Sequence, residues 1–184
     1  MADQTDFRIF RNLYDGFESQ ILEVFEHVEP DPSNAAVYSV RLWILHQGLC
    51  AAFGSLCNQF HCRLIGGKED PNILDFFSLL KILSIDPKQE FRLQRNPNFT
   101  VVPFSDWTLS QGPSWWQDYN VAKHKLDAYS LRNANLRNVV AGLAALRAML
   151  CVEDLGSGLK PFFGRHSTRV FLGGAEVLHV VTHG

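Results

Sequence analysis

The sequence predicts a mainly α-helical protein: an up-and-down bundle of four to five helices, with a short β-like insertion at about residues 88–112 and a C-terminal β-hairpin. Three long segments repeat apolar residues at three- and four-residue steps, which is the spacing of one helix face. Residues 91–104 and 168–181 alternate apolar and polar residues instead, as half-buried strands do. We expect residues 1–156 to form the bundle domain and residues 157–184 to be a hairpin or tail packed on it.

Length and composition indicate one globular domain. The chain has 184 residues, of which 46% are apolar and 20% are charged. These values are near the averages for globular proteins and exclude a disordered chain, a collagen or a coiled-coil rod. The net charge of −2 gives the protein no overall positive field for nucleic acid.

The first two predicted helices lie on either side of a proline-rich turn. The first spans residues 6–29 and ends there because the residue before Pro30 avoids the helical conformation. The second begins after a cap at Ser33 or Asn34 and ends at about Ile65, before a pair of glycines. It is apolar almost all round, which is typical of a helix in the middle of a bundle.

A shorter third helix is predicted over residues 72–84, ahead of the β-like insertion. The fourth begins at Trp115, with Ser114 as its cap, and continues to about Cys151. A break in this last helix is predicted near residues 128–134.

The charges are distributed unevenly along the chain. Residues 1–30 hold seven acidic and two basic residues, whereas basic residues dominate residues 115–150. One interpretation is a locally basic face on the later helix. The other is that the acidic first helix packs against the basic later one.

The sequence shows no targeting segment. Its first ten residues carry acids where a signal peptide has basic residues followed by an apolar run. The most apolar stretch, Val37 to Phe60, is interrupted by polar residues that would be costly in a membrane. We therefore expect a soluble cytoplasmic protein that contacts no membrane and keeps its four cysteines reduced.

One polar stripe on the fourth helix is a candidate for chemistry. Helical spacing places Asn120, Lys123, His124 and Asp127 on one face, next to Trp116. An imidazole beside an ammonium and an amide is suited to general acid–base catalysis on an anionic substrate. The alternative is a structural polar network that fixes how the helices pack.

A second stripe, on the long second helix, carries His46, Cys50, Cys57 and His61. Each His–Cys pair is spaced to supply half of a zinc site, but the two ends of the stripe lie too far apart to share one ion. Cysteines of this kind are more often buried in the core. We therefore expect neither a bound metal nor a cofactor.

The run Pro113-Ser114-Trp115-Trp116-x-x-Tyr119-Asn120-x-x-Lys123-His124, followed by Ala134-Asn135-Leu136 and an alanine-rich helix, resembles a group of small bacterial helical proteins. Their helix arrangement and this signature are similar to the HEPN superfamily (higher eukaryotes and prokaryotes nucleotide-binding domain). The resemblance implies a four- to five-helix bundle that often dimerises. It also implies metal-independent ribonucleases of defence or toxin–antitoxin systems, or inactive relatives that bind RNA or nucleotides.

The resemblance also implies roles for the stripe. His124 would be the acid–base group, Lys123 would bind phosphate and Asn120 would orient the nucleic-acid backbone. The catalytically active branch places an arginine shortly before its histidine on a late helix, and this chain has Asn120 there instead. A formal Arg–His match, Arg41 and His46, lies on the early apolar helix.

Two function hypotheses follow from these observations. The first is an RNA- or nucleotide-directed protein, which would be a metal-independent ribonuclease if it is an enzyme. The second is a non-enzymatic protein-interaction module in which the Asn120, Lys123 and His124 stripe is structural. A homodimer is also expected, as the resemblance implies, with a seam at one of two clusters: Trp107, Trp115 and Trp116, or Ala141, Ala144, Ala145 and Ala148. The alternative is that both clusters are ordinary core.

Overall fold

The structure is a computed structural model that describes residues 5–124, 127–152 and 168–172, without the side chains of residues 5–7, His124 and Tyr129. Within these ranges the chain is mainly helical and has one small antiparallel sheet, which confirms the predicted fold class. The helices are α1 (Thr5–Phe25), α2 (Val40–Leu64), α3 (Phe77–Ile82), α4 (Ser114–His124), α5 (Ala128–Asn133) and α6 (Leu136–Leu150). The strands are β1 (Phe91–Arg92) and β2 (Thr100–Val101).

The four long helices alternate in direction, as an up-and-down bundle requires. Helices α1 and α4 both run antiparallel to α2, and α6 runs parallel to it. The contacts that fix these directions are Phe17 with Gly48 and Glu23 with Arg41 for α1, Trp43 with Ala122 and Gly54 with Trp116 for α4, and Tyr38 with Asn135 and Leu49 with Gly142 for α6.

Helix α6 occupies the centre of the bundle. Every residue of α6 except Arg137 is buried, and its many alanines allow neighbouring helices to approach closely. Helix α2, which was predicted to lie in the middle, packs against α1, α3, α4 and α6 but is less completely buried than α6. Helix α2 leaves a stripe exposed that includes Val40, Ile44 and Ser55.

Helix α2 begins later than predicted. One turn of 3-10 helix, residues 32–34, comes first, and there Ser33 donates hydrogen bonds to the Asp31 carboxylate instead of capping an α-helix. The actual cap is Ser39, whose hydroxyl accepts from the backbone N–H of Leu42 at 3.1 Å.

The third helix is shorter than predicted because turn chemistry competes with it. The side chain of Asn72 accepts from the backbone of Leu74 at 2.9 Å, and Asp75 accepts from the backbone of Asn72 at 2.7 Å. These side-chain bonds close a non-helical turn. Helix α3 therefore keeps only residues 77–82 of the predicted 72–84.

The predicted long fourth helix is in fact three helices, α4, α5 and α6. The break expected at residues 128–134 is itself helical, and the chain reverses its direction between α4 and α6. Asp127 accepts from the backbone of Ser130 at 2.8 Å at the start of α5. Asn135 accepts from the backbone of Asn138 at 3.0 Å at the start of α6. Each cap begins a new helix.

Residues 168–172 extend the small sheet. Leu93 and Phe171 form an antiparallel bridge, and the backbone N–H of Leu172 donates to a β1 carbonyl at 2.8 Å. This stretch was predicted as the first arm of the C-terminal hairpin, but its partner in the described chain is the β insertion. The predicted turn and second arm, within residues 173–184, lie outside the described residues.

A buried carboxylate ties this stretch to α1. Glu18, which is 4% exposed, accepts hydrogen bonds from the Thr168 hydroxyl and from the backbone N–H groups of Arg169 (2.9 Å) and Val170 (3.3 Å). The hydroxyl of Tyr14 also donates to Glu18, at 3.3 Å. The carboxylate therefore has several donors in place of water.

Several acids of the first 30 residues form ion pairs with arginines outside helices α4 to α6. The ion pairs are Glu23 with Arg41, Glu26 and Glu29 with Arg95, and Glu18 with Arg169. Among the later basic residues, Arg147 is buried beside Tyr14 of α1. Lys123, Arg132 and Arg137 are exposed. Both interpretations of the charge distribution therefore stay predictions.

All the residues that suggested a dimer seam are buried in this bundle except Trp116, which is half-buried. Trp107 and Trp115 are 4% and 2% exposed, and Ala144 and Ala145 are fully buried. A homodimer would therefore need a different surface.

One helix in the described ranges, α2, is long and apolar enough to cross a membrane. Half of its most apolar window is buried inside the protein. Because the core helix of a soluble protein passes the same test, α2 is weak evidence for a membrane span.

Candidate functional site

Helix α4 presents the predicted stripe at the surface. Trp115 points into the core, Trp116 is half-buried, and Asn120 and Lys123 are exposed. The Lys123 ammonium lies 5.5 Å from the centre of the Tyr119 ring, so a cation–π contact orients it. His124 is the last residue of α4, and its side chain lies outside the described residues.

The polar contacts that fix α4 in the described chain come from other residues. The amide of Asn138 donates to the Asp118 carboxylate at 2.7 Å and to the Asn133 carbonyl at the same distance. Partial burial raises the pKa of Asp118, and the bond from Asn138 opposes that shift. Asp127, which sequence spacing placed on the stripe, caps α5 instead.

A groove of about 380 Å³ lies beside the stripe, between α4, the second half of α2 and the turn before α3. Its polar lining is uncharged and consists of Ser55, Asn58, Asn72 and Asn120. Its apolar lining consists of Gly54, Pro71, Ile73, Phe76 and Trp116. Of these residues, the sequence analysis singled out only Trp116 and Asn120. The helical period of α2 would also have placed Ser55 and Asn58 on its exposed face.

Trp116 is held rigidly at the edge of this groove. A Cβ atom added at Gly54 would lie 2.9 Å from the tip of the indole, so the glycine makes room for the ring. The ring centre also lies 5.3 Å from that of Tyr119 and 6.0 Å from that of Phe53. These distances are typical of packed aromatic pairs.

Beneath α4 lies a fully buried histidine, His46. Neither of its ring nitrogens has a hydrogen-bond partner of ordinary geometry in the described part of the chain. Its ring meets the edge of Tyr119 at 6.2 Å. Burial lowers the pKa of His46 to about 4, and the nearby Trp115 carbonyl opposes this only in part. The imidazole is therefore neutral at physiological pH.

The stripe of histidines and cysteines on α2 is a core stripe in the structure. Cys50 and Cys57 are fully buried and His61 is 4% exposed. Burial raises the pKa of both thiols, which disfavours the thiolate that a metal needs. Within the described ranges, no three metal-ligating side chains come together.

The formal Arg–His match on α2 is not assembled into one site. Arg41 is exposed and pairs with Glu23 of α1. His46 points to another side of the helix, towards Tyr119 of α4. The two side chains therefore cannot act on one substrate.

No protein-family model matches the chain, and no curated protein or solved structure matches it either. The resemblance to the HEPN superfamily therefore stays a prediction.

The chemistry that the groove offers is recognition. A rigid aromatic edge gives a stacking surface, and three amide side chains give both donors and acceptors of hydrogen bonds. The groove lining carries no charge that would hold a phosphate. The nearby positive charge is that of Lys123, which lies one helical turn beyond Asn120. A flat, neutral, hydrogen-bonding ligand with an attached anion matches this arrangement.

Proposed function

We propose that the protein binds single-stranded RNA or a nucleotide and places a base in the groove beside Trp116. The observation that carries this proposal is the ring of uncharged amides around a half-buried, rigid tryptophan. Proteins read unpaired bases by stacking them on aromatic side chains and hydrogen-bonding their edges. Asn120, Asn58 and Asn72 would supply those hydrogen bonds.

Lys123 extends this proposal to the phosphate. Its ammonium is exposed and oriented by Tyr119, so a phosphate attached to the bound base would meet it. The protein as a whole carries a net charge of −2, so a local cation has to supply the attraction. We expect the binding to weaken as the salt concentration rises.

The resemblance to the HEPN superfamily adds a catalytic variant of this proposal. In that variant His124 moves protons during RNA cleavage, and the protein serves in a bacterial defence or toxin–antitoxin system. A cytoplasmic location and a homodimer belong to the same proposal. His124 lies one helical turn after Asn120, the last residue of the groove. A substitution at His124 can therefore remove cleavage and leave RNA binding intact.

A titration of a labelled, mixed-sequence single-stranded RNA, followed by fluorescence anisotropy, tests the binding. We expect Asn120→Ala to weaken it about tenfold, which corresponds to about 1.4 kcal/mol. Asn12→Ala is the matched control because Asn12 is an exposed amide on α1, away from the groove. Unchanged anisotropy at protein concentrations on the order of 100 µM, where even non-specific complexes form, would refute the proposal.

The catalytic variant is tested on the same RNA by following its length. Loss of cleavage in His124→Ala, at an unchanged melting temperature, would support the enzyme. RNA left intact by the wild-type protein in several buffers would leave a binding protein. A lowered melting temperature in His124→Ala would instead indicate a structural role for the side chain.

A protein-interaction module is the second candidate, favoured by apolar residues exposed near the stripe. Val40, Ile44 and Val121 are 58%, 56% and 48% exposed. The hydrogen bond from Trp43 to the Ala122 carbonyl, 3.3 Å long, brings their two helices together. If RNA does not bind, Ile44→Ser should abolish capture of a protein partner and leave the fold intact.

A further inference from the structure

A second cleft, of about 290 Å³, opens on the side of α4 that faces away from the groove. Four parts of the chain line it: strand β2, the turn that follows β2, the start of α4 and the first turns of α6. Its size is near the lower end of the range for small-molecule sites, roughly 300 Å³. The cleft shares neither Trp116 nor Asn120 with the groove, so an inference about it does not rest on the proposed function.

Two opposite charges line this cleft without neutralising each other. Arg137 is exposed and Asp106 is half-buried, and no ion pair of 4.0 Å or less joins them or links either to another described residue. Opposite charges in one small cleft would normally approach each other.

Each charge is fixed by a contact of its own. The guanidinium of Arg137 lies over the Phe99 ring, 5.8 Å from its centre. One carboxylate oxygen of Asp106 accepts from the backbone N–H of Ser114 at 3.0 Å, at the start of α4. Within the described residues the other oxygen of Asp106 has no hydrogen-bond partner, so it remains for a ligand. The two charges are thus arranged in advance, which lowers the cost of binding.

The rest of the cleft is half apolar. Its apolar wall comprises Val101, Pro103, Trp115 and Ala141, and the hydroxyls of Thr100 and Ser114 lie beside it. The indole of Trp115 is fixed in this wall because its N–H donates to the Pro103 carbonyl at 2.8 Å. A ligand in this cleft meets a cation, an anion and a rigid apolar surface.

We infer that this cleft binds a small zwitterion, an α-amino acid with an apolar side chain. The carboxylate of the ligand would meet Arg137, its ammonium would meet Asp106, and its side chain would lie on the apolar wall. Asp106 would repel a free phosphate, and Arg137 would repel a simple amine. A ligand that carries both charges satisfies both residues.

Calorimetric titration with leucine and two analogues tests this inference. N-acetyl-leucine lacks the ammonium, and leucinamide lacks the carboxylate. We expect leucine to bind with a Kd of about 1 mM or lower, and each analogue to bind about tenfold more weakly. Equal affinity for the three compounds would overturn the inference, as would no heat with leucine at about 10 mM, ten times that Kd.

Variants assign the binding to the cleft. We expect Arg137→Gln and Asp106→Asn each to weaken leucine binding about tenfold. Both should stay folded, because Arg137 is exposed and an asparagine oxygen can still accept from Ser114. Arg132→Gln is the control, since Arg132 is also an exposed arginine over an aromatic ring, that of Tyr38, but outside the cleft. An equal loss in the control variant would refute the assignment.

Discussion

Two buried ionisable residues show opposite ways of placing a polar group inside this protein. Glu18 is surrounded by donors from Tyr14, Thr168 and the backbone that follows it. His46 is fully buried and has no ordinary hydrogen-bond partner in the described chain. The first group holds two distant parts of the chain together. The second is tolerated because its imidazole stays neutral.

Replacing Glu18 by alanine should lower the free energy of unfolding by about 3 kcal/mol, because buried donors would lose their acceptor. Urea denaturation of the wild type and of Glu18→Ala measures this difference. Glu23→Ala is the control, because the Glu23 side chain is 61% exposed in its pair with Arg41. We expect the control to change stability by less than about 1 kcal/mol. Equal effects of the two substitutions would contradict the assigned role of Glu18.

His46 should make the protein less stable in mild acid. Its pKa falls from 6.5 in the unfolded chain to about 4 in the folded protein. Below pH 6.5 the unfolded state therefore binds the proton first, and stability is lost as the pH falls towards 4. Between about pH 7 and pH 4.5 we expect this residue to account for a loss of about 2–3 kcal/mol.

Urea denaturation of His46→Leu across the same pH range checks this, since leucine cannot titrate. The variant should lose less stability than the wild type on acidification. His27→Gln, at an exposed position of the turn after α1, should keep the wild-type dependence. A His46→Leu curve parallel to that of the wild type would show that other groups set the acid sensitivity.

For single residues, the sequence predicts which side chains share one face of a helix. It does not predict which side chains from distant segments contact that face. Helical spacing placed Asn120 and Lys123 on one face of α4, and both are exposed there. It could not show that Asn72 reaches the same groove, because Asn72 lies in a turn distant along the chain. The role of Glu18 was hidden for the same reason, since its donors at Thr168 and Arg169 lie about 150 residues away.

Among the elements, caps decide where helices begin, and several residue types can cap. Ser33, Asn34 and Ser39 all precede the apolar run of α2 and are all acceptable as caps. After a turn at residues 35–36, Val37 and Tyr38 are held outside the helix, because the Val37 carbonyl accepts from the backbone N–H of Leu136 at 2.9 Å and Tyr38 forms a bridge with Asn135. These long-range contacts leave Ser39 as the cap. Periodicity alone therefore located the helix but misplaced its first turn by several residues.

The two serines give a direct test of this assignment. Ser39→Ala should lower the free energy of unfolding by about 1 kcal/mol, because the N–H of Leu42 loses its acceptor. Ser33→Ala removes an exposed hydroxyl that donates to Asp31 and should cost less than about 0.5 kcal/mol. Thermal or urea unfolding of the pair distinguishes them. A larger effect at Ser33 would return the cap to the position that the sequence suggested.

Across the whole molecule, the central helix should be the most persistent structure. Helix α6 is covered by its neighbours along almost its full length, whereas α3 has six residues and lies at the surface. Stability within a protein follows such differences in burial.

Hydrogen exchange measures this gradient. We expect the backbone amides of residues 140–150 to exchange only through global unfolding, because they are both hydrogen-bonded and buried. The amides of α3 should exchange much faster, through local opening. Peptide-resolved exchange followed by mass spectrometry checks both. Protection in α3 equal to that in α6 would mean that the bundle opens only as one unit.

The bond between Glu18 and Thr168 joins segments 150 positions apart, and this has a consequence for synthesis. When a ribosome has made the first 150 residues, the donors that Thr168, Arg169 and Val170 give to Glu18 have not yet been translated. Contacts of such long sequence separation are slow to close, and a nascent chain exposes unfinished surfaces meanwhile. Helix α1 must therefore wait, with the Glu18 carboxylate still open to water, until Thr168 has left the exit tunnel.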